Sequence, residues 1–190
     1  MIYLDNAAST PVHEKVIEEM VPYFREQCGN PSSIHRHGRV ANTAIQNARK
    51  QIASLINAHS NEILLTSGGT ESNNTAIYGI AAQSKGKHII TSSIEHDAIL
   101  EPCRRLEKEG YVISFLPVDK HGFIDPEDLK KEISSDTCLI TIMYANNEVG
   151  TIQPIKKISQ IAREKNIIFH TDAVQAIGKI PIDVKELGID

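Results

Sequence analysis

Apolar residues along this chain follow two periods. Short β-rich runs recur at Glu62–Thr66, His88–Ser92, Tyr111–Leu116, Cys138–Tyr144 and Ile167–Thr171, about 25 to 30 residues apart. That is the pitch of repeated βα units, and it predicts an α/β chain with a mostly parallel sheet. Between the runs the period lengthens to that of a helix. Thr70–Ser84 opens with small polar residues, Asp97–Glu109 sets Ile99, Leu100, Cys103 and Leu106 at helical spacing, and Ile155–Lys165 follows Pro154. Asp125 and Pro126 read as an N-cap followed by proline at the first helical position. Ahead of the first run, Val40, Ala44, Ala48, Ile52, Leu55 and Ile56 return every three or four residues, as on a helix packed against a sheet. Cys28–His37, with Gly29-Asn30-Pro31-Ser32-Ser33, reads as a loop. Val184–Asp190 reads as a helix end plus Gly188 and the approach to another strand. Stopping there leaves a sheet edge uncovered, so the chain is expected to be the front part of a longer protein, or to pair with a partner that supplies the rest.

Composition narrows the classes of ligand. With 190 residues, 41% hydrophobic and 23% charged, the chain is long and apolar enough for one domain or most of one, which excludes disorder. Twenty basic side chains against twenty-four acidic ones leave a formal charge of −4, which argues against nucleic acid or an anionic membrane and for a small polar ligand. The longest apolar runs fall far short of the roughly 20 residues of a membrane span, and Met1–Thr10 lacks the basic and apolar regions of a leader. The chain is therefore expected to be cytoplasmic. Cys28, Cys103 and Cys138 stand apart, outside any CxxC spacing, and predict neither a disulfide framework nor a zinc site. His35 and His37 form an HxH pair without a third ligand, so no metal is expected.

In parallel α/β sheets the ligand lies at the carboxyl ends of the strands, and the residues just after each run carry the candidate chemistry. Ser67-Gly68-Gly69-Thr70 leads into a helix whose free N–H groups suit a phosphate, although a plain capped turn fits the same residues and the segment matches neither common nucleotide fingerprint. Asp172, at the end of a nearly all-apolar run, needs a partner: a cationic ligand atom such as the pyridinium nitrogen of pyridoxal phosphate, or the backbone of a following helix that it caps. Asn146-Asn147-Glu148 reads as an active-site amide pair or a turn, and His96 as a ring-stacking residue or a helix start.

Taken together these residues resemble a family. Tyr3-Leu4-Asp5-Asn6-Ala7-Ala8-Ser9-Thr10-Pro11, Gly29–His35, Thr66–Asn74, Glu95-His96, Asn146–Gly150 and His170–Gln175 resemble, in order and spacing, the amino half of a cysteine desulfurase of the NifS/IscS type, within the class V aminotransferase-like, fold type I pyridoxal phosphate enzymes. The resemblance implies a three-layer α/β/α large domain with a mostly parallel sheet, incomplete at the carboxyl end. It also implies an N-terminal segment 1–15 belonging to the small domain, and a pyridoxal phosphate-binding large domain over 16–190 that stops before the Schiff-base lysine.

By the same resemblance, Gly69 and Thr70 hold the cofactor phosphate. His96 stacks on the pyridine ring and serves in proton transfer, Asp172 pairs with the ring nitrogen, and Gln175 bonds the phenolic oxygen. Asn147 holds the substrate carboxylate or the same edge of the ring, and His35 is an active-site neighbour. The implied reaction takes sulfur from L-cysteine, leaving L-alanine and an enzyme persulfide that passes to iron–sulfur cluster assembly or another thiol acceptor. Implied partners are a sulfur-acceptor or scaffold protein, a second copy in a homodimer, and the missing carboxyl part in cis or in trans, without which the chain alone is expected to be inactive. The lysine, in a Ser-x-His-Lys segment, and the nucleophilic cysteine fall past Asp190, and Cys28, Cys103 and Cys138 match neither. The alternative is a non-catalytic truncated homologue that binds pyridoxal phosphate or a full-length desulfurase subunit.

Overall fold

The computed structural model describes residues 2–190, which divide into two compact units, 2–64 and 65–190. In the first unit, helix α1 (Glu14–Arg25) begins where the His13 imidazole accepts from the Lys15 N–H, and none of its residues is buried. Its apolar residues Val16, Ile17, Met20 and Phe24 are all exposed. Helix α2 (Arg36–Ile56) starts one turn before the apolar period at Val40. His35 caps it, Nδ1 accepting from the Gly38 N–H at 3.3 Å. Gly38 is required there because a Cβ would stand 2.2 Å from the Ser33 carbonyl oxygen. The loop read at Cys28–His37 thus yields its last two residues to the helix.

The second unit holds the sheet. Helix α3 (Gly69–Gln83), strand β1 (His88–Ser92), helix α4 (Asp97–Lys108), strand β2 (Val112–Leu116), helix α5 (Pro126–Glu132), strand β3 (Thr137–Thr141), helix α6 (Ile155–Glu164), strand β4 (Ile168–His170) and helix α7 (Val184–Leu187) follow in order. The strands run in the order β2-β1-β3-β4, all parallel. Every residue of the inner strand β1 is buried, whereas the edge strand β2 exposes Val112 and Phe115, as expected for strands covered on two faces or fewer. Ile77, Ile89, Ile99, Cys103, Leu106 and Leu139 form one core beneath α3 and α4. Ile90, Leu129, Ile140, Ile158 and Phe169 form the other, beneath α5 and α6. Two cores on two faces make the expected three-layer α/β/α arrangement. Each fully buried Ile or Leu contributes about 1.5–3 kcal/mol relative to exposure.

One predicted strand is absent. Glu62–Thr66 is not part of the sheet: Ser60–Glu62 is a 3-10 turn, closed by the Glu62 carboxylate accepting from the His59 N–H at 2.6 Å. Ile63 is extended, but Leu64 and Leu65 are exposed at 66% and 44%. A β-rich run becomes a strand only when a neighbour takes its N–H and C=O groups, and this one has no ladder partner in the four-stranded sheet. The run at Cys138–Tyr144 also shortens, with β3 ending at Thr141. Beyond it the buried Ile142, Met143 and Tyr144 leave the ladder for the loop that forms the site. At the far end Gly188 takes φ +69° to close α7, and the Asp190 N–H donates to the Phe169 carbonyl beside β4.

Candidate active site

The carboxyl ends of β1, β3 and β4 and the first turn of α3 meet in the second unit. Each contributes a loop that backbone and side-chain bonds hold to the next. After β4, the Thr171 hydroxyl donates to the Ile142 carbonyl at 2.7 Å and the Tyr144 N–H donates to the Asp172 carbonyl at 2.8 Å, which fastens the Asp172 loop to the end of β3. After β1, the Asn146 amide donates to the Ile94 carbonyl at 3.0 Å, joining the third loop to the first.

Asp172 is buried at 9% exposure. One carboxylate oxygen accepts from the Val174 N–H at 3.0 Å and the other from the Asn73 amide at 2.7 Å. The first bond makes a local turn, and no helix follows at 173–179, so the capping alternative ends as a turn. The second bond reaches across to α3. Both donors are neutral, so nothing in this pair cancels the carboxylate's charge, and a cationic group brought to this end of the sheet is favoured over one left in water.

Gly69 opens α3, and its side-chain position is filled by the neighbouring loop: a Cβ there would lie 2.9 Å from Val174 Cγ2. The helix start therefore abuts the loop that carries Asp172. The first-turn N–H groups have no intrahelical acceptor and sit at the positive end of the helix. Glu71 does not occupy that end as an anion facing outward; it turns back, its carboxylate accepting from the Ser67 N–H at 2.7 Å and hydroxyl at 2.5 Å, bonds that hold its pKa below the ordinary value.

His96 caps α4, Nδ1 accepting from the Ala98 N–H at 3.0 Å. The neutral ring accordingly carries its proton on Nε2. His96 shares an open cleft of about 560 Å³ with Thr70 and Asn74, and Arg104, Arg105 and Lys108 also line it. Asn146 is a turn residue: its side-chain oxygen accepts from the Glu148 and Val149 N–H groups, both at 2.9 Å. Asn147, half-buried, is thereby held at the crest of that turn. Gln175 is half-buried on the Asp172 loop, its amide oxygen accepting from the Lys179 ammonium. His35 belongs to the first unit, where it caps α2.

Two polar residues at this site lie inside the motifs that carry the family resemblance, Thr66–Asn74 and Glu95-His96, but are assigned no role there. Asn73 is 4% exposed and lies one helical turn after Thr70, so the same face of α3 that offers N–H groups also delivers the amide to Asp172. An Asn inside a helix, where its propensity is poor, was the available clue. Glu95 is 5% exposed, accepting at Oε1 from the Ser92 hydroxyl at 2.6 Å and the Met143 N–H at 2.9 Å. Burial pushes its carboxyl up to about 8, the two hydrogen bonds pull it down, and the Asp172 charge adds to the rise. Burial, with Glu95 nearby, pushes the Cys103 thiol up to about 12, so that this cysteine is no thiolate at neutral pH. Burial also depresses the imidazole of His170, whose Nδ1 lies 2.8 Å from the Thr141 hydroxyl, and the Asp172 charge offsets part of that fall.

Pyridoxal phosphate fits the groups that stand here. Asp172 offers a buried carboxylate held by neutral donors, Gly69 opens α3 with no side chain where Val174 packs, and His96 shares a cleft with Thr70.

A family model described as Aminotransferase class-V matches residues 2–190. Over its whole length the chain is 59% identical to the cysteine desulfurase IscS of Dictyoglomus turgidum and 58% identical to that of Methanosarcina thermophila, spanning 48% and 47% of those proteins. Among solved structures, a NifS-like protein superposes with a TM-score of 0.96 at 41% identity, all of this chain matching 53% of that one. A structure described as SspA in complex with cysteine superposes with a TM-score of 0.98 at 43% identity, over 55% of its chain. The chain spans about half the length of the relatives it matches. Since the match runs through both units and every element of the sheet, the chain belongs to the aminotransferase class-V family.

Proposed function

We propose that this chain forms the cofactor-binding part of a pyridoxal phosphate-dependent cysteine desulfurase. The observation that carries the reading is the buried Asp172 carboxylate, held by neutral donors on a loop that packs against the Gly69 helix start. Gly69 and Thr70 bind the cofactor phosphate through backbone N–H groups and the Thr70 hydroxyl. Asp172 keeps a proton on the ring nitrogen, and the Asn73 amide keeps Asp172 aimed. His96 covers the ring and moves a proton at Nε2, the nitrogen its capping bond leaves for that task. Gln175 donates to the phenolic oxygen, and Asn147 orients the substrate carboxylate. When bound, the cofactor supplies an electron sink for the carbon next to the substrate amine.

The substrate is L-cysteine and the balance is simple: L-cysteine plus a protein thiol gives L-alanine plus a protein persulfide. The persulfide sulfur then goes to iron–sulfur cluster assembly or another thiol acceptor. Residues 16–190 act as the large domain and 1–15 as part of the small one, and the working form is a cytoplasmic homodimer that includes the Schiff-base lysine and nucleophilic cysteine.

Titration of the chain with pyridoxal phosphate, followed by absorbance, is the test of the site. Saturable binding weakened at least tenfold by Asp172→Asn is expected, and binding indifferent to Asp172→Asn overturns the assignment. Alanine release from L-cysteine by the chain joined to its carboxyl-terminal half tests the reaction, and turnover of another amino acid with no alanine from cysteine would overturn the substrate.

A further inference from the structure

Glu95 is the buried ionisable group that this chemistry leaves unused. It stands one residue before His96, at 5% exposure. Its Oε1 takes two hydrogen bonds, one from Ser92 at the end of β1 and one from the Met143 N–H just beyond β3, while its Oε2 is buried without a partner. A carboxyl with one doubly bonded oxygen and one unmet oxygen behaves as a neutral acid, with the carbonyl oxygen accepting and the hydroxyl enclosed. Its contacts tie the His96 turn, which leads from β1 into α4, to the end of the neighbouring strand β3. The Asn146 amide, donating to the Ile94 carbonyl, is the other tie between the same two loops.

We propose that Glu95 is a positioning residue: its carboxyl clamps the turn that carries His96 to the carboxyl end of β3, and so fixes where the His96 ring stands relative to the Gly69–Thr70 helix start. The clamp rests on the reading of this end of the sheet as the cofactor site. Ser92 and Met143 hold the oxygen from the ends of two neighbouring strands, so that losing it frees the turn at both attachments while the cap between His96 and Ala98 stays intact. The ring then keeps its tautomer but loses its place. The groups that face Glu95 are Asp172 from the loop after β4 and Cys103 from α4, and a charge on Glu95 is unfavourable beside Asp172.

Three variants test this in the 190-residue chain: Glu95→Gln, Glu95→Leu and Ser92→Ala. Two readouts are followed, the His96 imidazole resonances by NMR without cofactor and pyridoxal phosphate affinity by absorbance. Gln has the shape of the neutral acid and keeps the accepting oxygen, so His96 resonances like the parent's and an affinity within twofold are expected. Leu removes the acceptor, and shifted His96 resonances with at least tenfold weaker binding are expected. Ser92→Ala, which removes one bond of the clamp, is expected to lie between and decides the matter if Glu95→Leu does not fold. A folded Glu95→Leu chain with unchanged His96 signals and affinity overturns the proposal, as does Glu95→Gln behaving like Leu. If no form binds pyridoxal phosphate while His96 still moves in Leu and not in Gln, the clamp stands and the cofactor reading falls.

Discussion

At the scale of single residues, this site is built from bonds between side chains far apart in sequence. Asn73 and Asp172 are ninety-nine positions apart and 2.7 Å from each other. Replacing Asn73 with Ala strips a charge-assisted bond from a buried carboxylate, and a loss of about 1.5–3 kcal/mol in urea unfolding is expected. Gly69→Ala is different in kind. Alanine suits a helix start, but its Cβ would meet Val174 Cγ2 at 2.9 Å and displace the Asp172 loop. Thermal stability is expected to stay within a few degrees of the parent while pyridoxal phosphate affinity falls, as read by melting and absorbance on the same samples. Glu95 predicts a pH effect. Its pKa is raised by folding, so the stability it contributes is complete below the ordinary carboxyl range and is lost as pH climbs toward about 8. Glu95→Gln keeps the shape without the titration, and a stability gain over the parent that is larger at pH 8 than at pH 5 is expected from urea midpoints.

At the scale of elements, most of the helices and four of the five β-rich runs were legible. Apolar spacing and the Asp125-Pro126 start locate α3 to α6 to within a residue or so, because each buries an apolar face and His96 and Asp125 cap the first turns of α4 and α5. Glu62–Thr66 was not legible as a non-strand: β-propensity describes a residue's fit to a pleated surface, and only a paired neighbour decides whether the surface exists. The sheet also holds a titratable bolt. His88, buried in β1, bonds the Thr137 hydroxyl of β3 at 2.7 Å and the Ser114 hydroxyl of β2 at 3.0 Å. Burial depresses its pKa, and the charges of Glu132 and Asp136 offset part of that. The unfolded chain therefore takes up a proton near the ordinary His range before the folded one does, and stability is lost as pH falls below about 6.5. Urea midpoints from pH 7.5 to 5 check this, with His88→Asn expected to flatten the acidic slope.

At the scale of the whole molecule, the two units differ in how their apolar residues are used. The second carries two cores on the faces of one sheet, while α1 in the first buries none of its residues. Hydrogen exchange on the 190-residue chain is expected to be slowest in β1 and β3 and fastest in α1, and slow α1 amides would contradict this reading of the first unit.

Motif order along the chain was sufficient for the family, and periodicity for the parallel α/β class, because both are properties of the chain read in one direction. The proposed carriers of phosphate-binding and ring-pairing chemistry, Gly69, Thr70, His96 and Asp172, were named from their places after β-rich runs. The supports of that chemistry were decided only in three dimensions. Asn73 and Glu95 are read only as members of their motifs, without a role, until α3, β1, β3 and β4 converge, and only then does each find its partners. Local sequence determines which backbone an element adopts; whether a buried polar atom is satisfied depends on which other element arrives beside it.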